Sequence, residues 1–432
     1  MDYELAHIRK EYFKIKRYVR QKRIGQTAPV KMKSFSNGLL RIATLLFYNG
    51  IPVKYIHFYD LEIILEDASA ADLPEIAAFS AVCPSIPRCA ILAKRLKEIK
   101  PDIMILVGGA HVNQAPEETL RRFPEFDRLN EGYEMDAAEH IAGRSLSKTP
   151  EQYVDYNLLP YPLIEYSINT FTSVGCPFRC NYCVDGQAPY YRTMEDGQLQ
   201  IMKSLLPERT VIHFFDSILG YDRQGAFQVC RKLEQLDHKF LLSCDMRADL
   251  MTPALAKAME RAGFVEVRMG LDTASEEILI KNGRTIMPDT LLNQLKMVRE
   301  NSNLYISLYS ITGLPGTTKE LHQRMLECIA FLYENHLADE IKNAIYVPYP
   351  MKGVDYLSRG VTITDSDWSH YDRASFPVYR LEKVDENEIW NMFLQTARCL
   401  NENWLKSCGL GDISQVPEIS DGFSEYYEAN YK

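Results

Sequence analysis

The stretch Gly175-Cys176-Pro177-Phe178-Arg179-Cys180-Asn181-Tyr182-Cys183 places three cysteines within eight residues, at C-x-x-x-C-x-x-C spacing. The run before it, Thr170-Phe171-Thr172-Ser173-Val174, is rich in β-branched residues and reads as a strand. Thiolates select soft metals, either zinc or iron in a sulfide cluster. A structural zinc site takes four ligands, commonly from paired C-x-x-C knuckles. No fourth cysteine lies nearby, and the chain has no second such pair. Three cysteines around a four-iron cluster leave one iron without a protein ligand, free to bind a cofactor or substrate. Two other readings stay open on the residues alone: zinc completed by a distant His or Asp, and buried cysteines that meet by coincidence.

Working outward, 432 residues exceed one ordinary domain. A 46% apolar and 25% charged composition describes a well-cored globular protein. No run of 18 apolar residues and no charged-then-apolar leader occurs, so neither a membrane span nor secretion is expected, and the cytoplasm is the expected compartment. The net charge of −9 argues against a nucleic-acid partner. Locally, Arg9 to Arg23 is basic at eight of fifteen positions. It reads as a solvated helix or edge-strand face, or as a dock for a phosphate, a leader peptide or another partner. The other seven cysteines (Cys83, Cys89, Cys230, Cys244, Cys328, Cys399, Cys408) are scattered through apolar patterns and read as core residues of a reduced protein.

Toward the amino terminus the pattern alternates. Asn37 to Tyr48 has helical spacing, Val53 to Tyr59 and Ile76 to Val82 read as strands, and Arg88 to Ile99 reads as a helix. Ile103 to Val107 is a continuous apolar run of the kind buried in a parallel sheet, and Pro116 to Arg122 begins another helix. This describes a Rossmann-like, doubly wound α/β domain over 1–145. The Gly108-Gly109 pair that ends the apolar run is either a close approach to a ligand or a tight turn. Residues 146–168, with Ser147, Thr149, Pro160 and Pro162, read as a linker.

Toward the carboxyl terminus, strands are expected at Thr170 to Val174, Val211 to Phe215, Lys239 to Cys244, Val265 to Met269, Tyr305 to Ile311 and Glu340 to Val347. Helical segments over roughly 193–206, 223–236, 253–262, 289–300 and 318–335 separate them. Six parallel strands in a span of 169–370 suit a partial (β/α)6 barrel better than a closed barrel of eight. Chemistry in such barrels gathers at the carboxyl ends of strands, and the cysteines lie just past the first. A small helical region, 371–432, follows. Its helix Glu386 to Leu405 carries an apolar stripe (Ile389, Trp390, Phe393, Ala397, Leu400) that serves the core or caps the barrel's open side. The final Tyr426, Tyr427 and Tyr431 read as frayed or draped chain.

The run Thr172-Ser173-Val174-Gly175-Cys176-Pro177-Phe178-Arg179-Cys180-Asn181-Tyr182-Cys183, placed after a first barrel strand, resembles the radical S-adenosylmethionine (radical SAM) superfamily. The likeness extends to its subgroup with an N-terminal cobalamin-binding-type domain. It rests there on Pro160-Tyr161-Pro162, Tyr191-Arg192, Phe215-Asp216, Arg247-Ala248-Asp249 and Gly270 to Glu277. Ile311 to Gly316, Pro348-Tyr349-Pro350, Val107 to His111, Pro116-Glu117-Glu118 and Glu131 to Glu134 fit as well, so the likeness covers roughly 35–355.

The resemblance implies roles position by position. Cys176, Cys180 and Cys183 would hold a [4Fe–4S] cluster whose fourth iron takes S-adenosylmethionine. Reductive cleavage would release a 5′-deoxyadenosyl radical that abstracts a substrate hydrogen, the protein supplying position and exclusion of water. Tyr182 would lie beside the adenine, Asp216 or Ser217 at the methionine amino group, and Arg247 at its carboxylate. Asp272 and Thr273 would reach the ribose or the amino-acid end, and Ile311 and Leu314 would pack on adenine. The implied partners are a small-molecule or peptide substrate and an electron donor such as a flavodoxin or ferredoxin.

Cobalamin is a candidate further cofactor that the residues leave open. The chain has no D-x-H-x-x-G motif, and none of His57, His111 and His140 stands in such a context. Ser36 to Leu40 resembles the piece after a first strand, yet only the basic stretch precedes it, which marks an altered front end. The expected activity is therefore a dehydration, epimerisation or rearrangement by the adenosyl radical alone. The alternative is a cobalamin-dependent C-methyltransferase, and the non-enzyme alternative is a cluster-bearing scaffold or sensor.

Overall fold

The computed structural model describes residues 3–25, 33–147, 154–161, 163, 166–187, 200, 202–204, 206, 208 and 210–419. Thr149, Pro162, Tyr191, Arg192, most of the helix expected over 193–206, and Tyr426, Tyr427 and Tyr431 lie outside them.

The basic opening is a helix, α1 (Tyr3–Ile24), and it is neither an edge strand nor simply a solvated face. Ile15 and Val19 join the barrel core, and Arg20 is buried with them. Then come α2 (Asn37–Tyr48), capped by the Ser36 hydroxyl, and α3 (Phe58–Asp67). The strand expected at Val53 to Tyr59 does not form. Pro52 lacks a ladder donor at its head, and two of its side chains are engaged elsewhere. Tyr55 Oη accepts from Ser36 N at 2.9 Å, and His57 Nε2 lies 2.8 Å from Tyr166 Oη.

The first sheet holds β1 (Ile76–Ser80), β2 (Met104–Gly108) and β3 (Arg128–Leu129), all parallel and in that order. Between and after them run α4 (Ile86–Ile99), α5 (Ala110–Gln114), α6 (Pro116–Arg122) and α7 (Glu134–Ala142). Because the three strands are parallel, their carboxyl ends lie at the same rim. The stretch expected as a linker is tied down instead: Val154, Tyr156, Leu159 and Tyr166 are buried in the barrel core.

The second sheet is the expected partial barrel, six parallel strands in sequence order: β4 (Ile168–Thr170), β5 (Val211–Phe214), β6 (Leu241–Met246), β7 (Phe264–Asp272), β8 (Tyr305–Thr312) and β9 (Glu340–Ile345). Its described helices are α8 (Arg223–Leu236), α9 (Pro253–Arg261), α10 (Glu276–Lys281), α11 (Pro288–Asn301) and α12 (Lys319–Glu334). The first strand stops at Thr170, short of the expected Val174. Thr172 and Ser173 give their backbone N–H groups to the Asp216 carboxylate, and so leave the ladder.

A hairpin of β10 (Val361–Ile363) and β11 (Tyr379–Leu381) follows, then α13 (Glu386–Ser407), whose N-cap Asp385 and Glu388 form a capping box. This last helix packs on α1, α12 and the β8–β9 side of the barrel. One core fills the barrel. A second runs without a break from the first sheet through Ile278 and Leu314 to Trp368, Tyr379 and Phe393. Among the described residues no helix is long and apolar enough to cross a membrane.

Candidate active site

The cysteine loop hangs from the carboxyl end of β4, and its neighbours hold it in place. Asp216, at the end of β5, accepts from Thr172 Oγ1 at 2.5 Å, Ser173 N at 2.6 Å and Ser173 Oγ at 2.8 Å. It is 1% exposed, and burial raises its pKa against the lowering effect of those bonds. The expected amino-group ligand is therefore an anchor for the loop, with its oxygens turned to the protein. Ser217 donates to Asp185 Oδ2 at 2.8 Å, just beyond the third cysteine. At the far side, Asn181 N donates to Asn282 O at 3.0 Å, and Arg359 donates to Asn181 O at 2.8 Å.

Burial raises the thiol pKa of Cys176, and that of Cys183 to about 11. Thiolates at these positions therefore need a metal or cation to hold them. Among the described residues no three His, Cys, Asp or Glu side chains converge as a single metal ion would require.

Arg247 is 4% exposed, and its fork is largely engaged. It donates to both oxygens of Asp249, at 3.1 and 2.8 Å, and to Thr285 Oγ1 at 2.9 Å. Its guanidinium lies 3.4 Å from the centroid of the Phe178 ring, inside the cysteine loop. An incoming carboxylate would have to share it with Asp249. Tyr182 donates its hydroxyl to Asp272 Oδ2 at 2.8 Å, and Arg284 Nε meets the same oxygen at 2.9 Å. Asp272 has a left-handed φ of +57°, which turns the end of β7 toward the loop. Thr273 is buried and accepts from Ser275 N. Ile311 is half-buried at the end of β8, whereas Leu314 is wholly enclosed in the second core.

The cysteines, Tyr182, Arg247, Asp272 and the Asp216 anchor thus share the barrel's carboxyl rim. Leu314 stands behind it as core. Sequence reasoning missed Asn282, Arg284 and Thr285, although the helix-stopping Asn282-Gly283 directly after α10 is a signal for a turn.

Below the rim, successive strands align polar side chains on the barrel's inner face. Register pairs His213 with Ser243, Asp245 with Arg268, Arg268 with Ser307 and Tyr309 with Lys342. Arg268 reaches Glu266 at 3.1 Å and His213 Nε2 at 3.1 Å, and His213 Nε2 lies 3.2 Å from Asp245. Helix α1 closes the floor. Arg20 pairs with Glu266 at 3.0 Å and Lys16 with Glu340 at 2.8 Å, while Tyr12 donates to Glu340. Burial alone would raise Glu340, but Lys16 and Lys342 hold it at about 2. Burial pulls Lys342 down to about 8.

A radical SAM superfamily model matches residues 170–329, and a B12-binding-domain model matches residues 27–142. The chain is a radical SAM enzyme with an N-terminal B12-binding domain. Its family brings a [4Fe–4S] cluster and S-adenosylmethionine, and the B12-binding match supports cobalamin as the candidate further cofactor.

This radical SAM chain is 22% identical over 388 residues to an uncharacterized methyltransferase, PH0819, of Pyrococcus horikoshii, spanning 77% of this chain and 82% of that protein. It is 20% identical to the anaerobic magnesium-protoporphyrin IX monomethyl ester cyclase of Rubrivivax gelatinosus, over 75% and 65% of the two chains. In fold it is similar to the radical SAM methyltransferase TsrM of Kitasatospora setae, solved with cobalamin and a [4Fe–4S] cluster. That match has a TM-score of 0.61 at 14% identity, covering 84% of this chain and 86% of the other.

Ligands of open α/β sheets bind outside the carboxyl ends of the strands. At that rim of the first domain Gly109 has φ +102°, and a Cβ there would stand 2.7 Å from Ala81 O, so the glycine pair is a tight backbone packing. His111 is buried, 3.0 Å from Thr119 Oγ1 and against the Trp368 ring, and burial lowers its pKa to about 4. It is no axial ligand. The rest of the rim is open: Val82 is 55% and Tyr133 44% exposed, with Ala110, Glu131 and Gly132 between them. An exposed, glycine-bearing shelf, apolar apart from Glu131, fits a corrin held without a histidine.

Proposed function

We propose that this chain is a cobalamin-dependent radical SAM methyltransferase, with the cluster on Cys176, Cys180 and Cys183. The observation that carries this reading is the junction of the two domains. Gln114, closing the helix at the first domain's ligand rim, donates Nε2 to Val184 O at 3.2 Å, one residue past the third cysteine. Lys352 N donates to Gln114 O at 2.8 Å and locks the same contact to the barrel. Two cofactor faces that abut serve methyl transfer. A reaction using the adenosyl radical alone has no need of the second face. The methyltransferases PH0819 and TsrM support the same reading, and the expected dehydration, epimerisation or rearrangement finds no such support.

When bound, the cluster with S-adenosylmethionine supplies reductive radical chemistry and the corrinoid a methyl carrier. The chain's own residues orient and enclose them. Asp216 and Ser217 fix the two flanks of the cysteine loop. Arg247 presses on Phe178 and offers its remaining N–H to the methionine carboxylate. Tyr182, Thr273 and Ile311 line the nucleoside side, with Asp272 steering Tyr182. Ser36 to Gly38, Val82, Ala110 and Glu131 to Tyr133 would hold the corrinoid. The polar layer from His213 to Lys342, floored by α1, faces the substrate, a small molecule or a peptide. A small iron–sulfur or flavin protein supplies electrons.

The test needs no substrate. Protein reconstituted anaerobically with iron, sulfide and cobalamin should retain a corrinoid spectrum after gel filtration. With titanium(III) citrate and S-adenosylmethionine it should release S-adenosylhomocysteine in proportion to bound corrinoid. Retention of the cluster without any corrinoid would overturn methyl transfer while leaving the radical SAM assignment in place.

A further inference from the structure

We propose that Arg284 is a positioning residue of the iron–sulfur centre, whose guanidinium sets how readily a cluster on Cys176, Cys180 and Cys183 is reduced. The inference rests on the cluster assignment made above. Arg284 enters the site from just beyond α10, and three contacts fix its orientation. Nε pairs with Asp272 Oδ2 at 2.9 Å, NH2 donates to Gly270 O at 3.3 Å, and NH1 points at Cys180 Sγ at 4.0 Å. The two charged side chains are 10% and 8% exposed, so water screens the pair little.

The backbone makes room for this approach. A Cβ on Gly270 would lie 2.7 Å from the Arg284 NH2 and 3.0 Å from Asp272 Oδ1. Tyr182, one residue before the third cysteine, donates to Asp272 and closes a circuit from the loop back to the arginine. Arg247, the other buried arginine near the loop, spends its charge on Asp249 and the Phe178 ring. Arg284 by contrast directs one N–H toward a cysteine sulfur while Asp272 holds its other edge. A fixed cation beside a group that gains negative charge favours the reduced form, and N–H groups aimed at the sulfurs act in the same direction. Asp272 opposes this from behind the guanidinium. Substitutions at the two positions should therefore shift the midpoint in opposite directions.

The measurement is an EPR-monitored redox titration of anaerobically reconstituted wild type, Arg284→Met, Arg284→Lys and Asp272→Asn, without S-adenosylmethionine. Arg284→Met should move the midpoint negative, lowering the reduced-to-oxidised ratio at the wild-type midpoint roughly tenfold. Asp272→Asn should move it positive, and Arg284→Lys should stay closer to wild type than Arg284→Met. A purely structural arginine would lower cluster loading and melting temperature but leave the midpoint of the loaded fraction unchanged. That result, or a shift of both positions in one direction, overturns the proposal. If Arg284→Met takes up no cluster, the opposed shifts of Arg284→Lys and Asp272→Asn decide it. A wild-type protein that forms no four-iron cluster would instead overturn the cluster assignment itself.

Discussion

Whereas Cys180 is buried, Cys176, like Cys183, is half-buried in the triad proposed to hold the cluster. Its thiol is raised by burial, so an unligated Cys176 stays protonated at neutral pH. Cys176→Ala should abolish the broad visible absorbance of the reconstituted protein and cut 5′-deoxyadenosine formation at least about a hundredfold. Its melting curve should move little, because the side chain only lies against the core. Unchanged absorbance and unchanged cofactor cleavage would remove the central assignment. The spacing left zinc and coincidence open, and the resemblance of the run Thr172 to Cys183 carried the cluster reading. The partners of the loop were less legible, because hydrogen-bond direction is not written in a motif. Asp216 and Arg247 have the residue types that bind an amino acid's two ends, yet the fold turns most of their capacity inward, onto Ser173 and Asp249. Arg284 was missed because its role depends on a glycine fourteen residues earlier.

At the scale of the element, α1 shows where pattern reading stops. Its basic density suggested a solvated face, but the positive charges answer carboxylates on the inner face of β7 and β9, about 250 and 320 residues away. Glu266 and Glu340 are wholly buried, and each would be intolerable without those partners. Arg20→Met should therefore cost about 2–3 kcal/mol in a urea titration, below the full loss of a buried pair because Arg268 still faces Glu266. A change under about 0.5 kcal/mol would show that α1 is a dispensable appendage. The same cluster sets an acid limit. Lys16 and Lys342 overcome the cost of burial and hold the Glu340 carboxyl below the ordinary carboxylate range, so its stabilisation is present above the ordinary value and is lost as pH falls below it. Over that acid range wild type should lose more stability than Glu340→Gln does. Parallel pH–stability slopes for the two proteins would contradict the shift. Elsewhere local signals carried most elements. The barrel strands, α8, α9, α11, α12 and α13 follow from alternation and helical spacing, whereas α3 and α10 were not read from the pattern, and Val53 to Tyr59 failed because Pro52 and side-chain bonds to Ser36 and Tyr166 broke the ladder.

For the whole molecule, the decisive feature is the core shared by the first sheet, the barrel rim and the segment 346–393. Trp368 is its bolt. It is 3% exposed and packs on the His111 ring at 4.5 Å, on Phe123 at 5.9 Å and under the Arg122 guanidinium at 4.1 Å. No window of sequence could join Trp368 to His111, because 256 residues, most of them barrel, separate them. If methyl transfer requires the corrinoid shelf and the cysteine loop to meet at Gln114 and Val184, this core must hold the domains together through turnover. Trp368→Ala should remove about 3–5 kcal/mol of packing. Because the barrel keeps its own separate core, the loss should fall on the first domain and the junction. Calorimetry should then resolve an early transition for residues 33–147 ahead of the barrel, where wild type melts as one unit. Corrinoid retention should fall in the variant while the cluster spectrum persists. A single transition with both cofactors lost together would mean that the first domain and the barrel are one cooperative body, with Trp368 ordinary packing inside it.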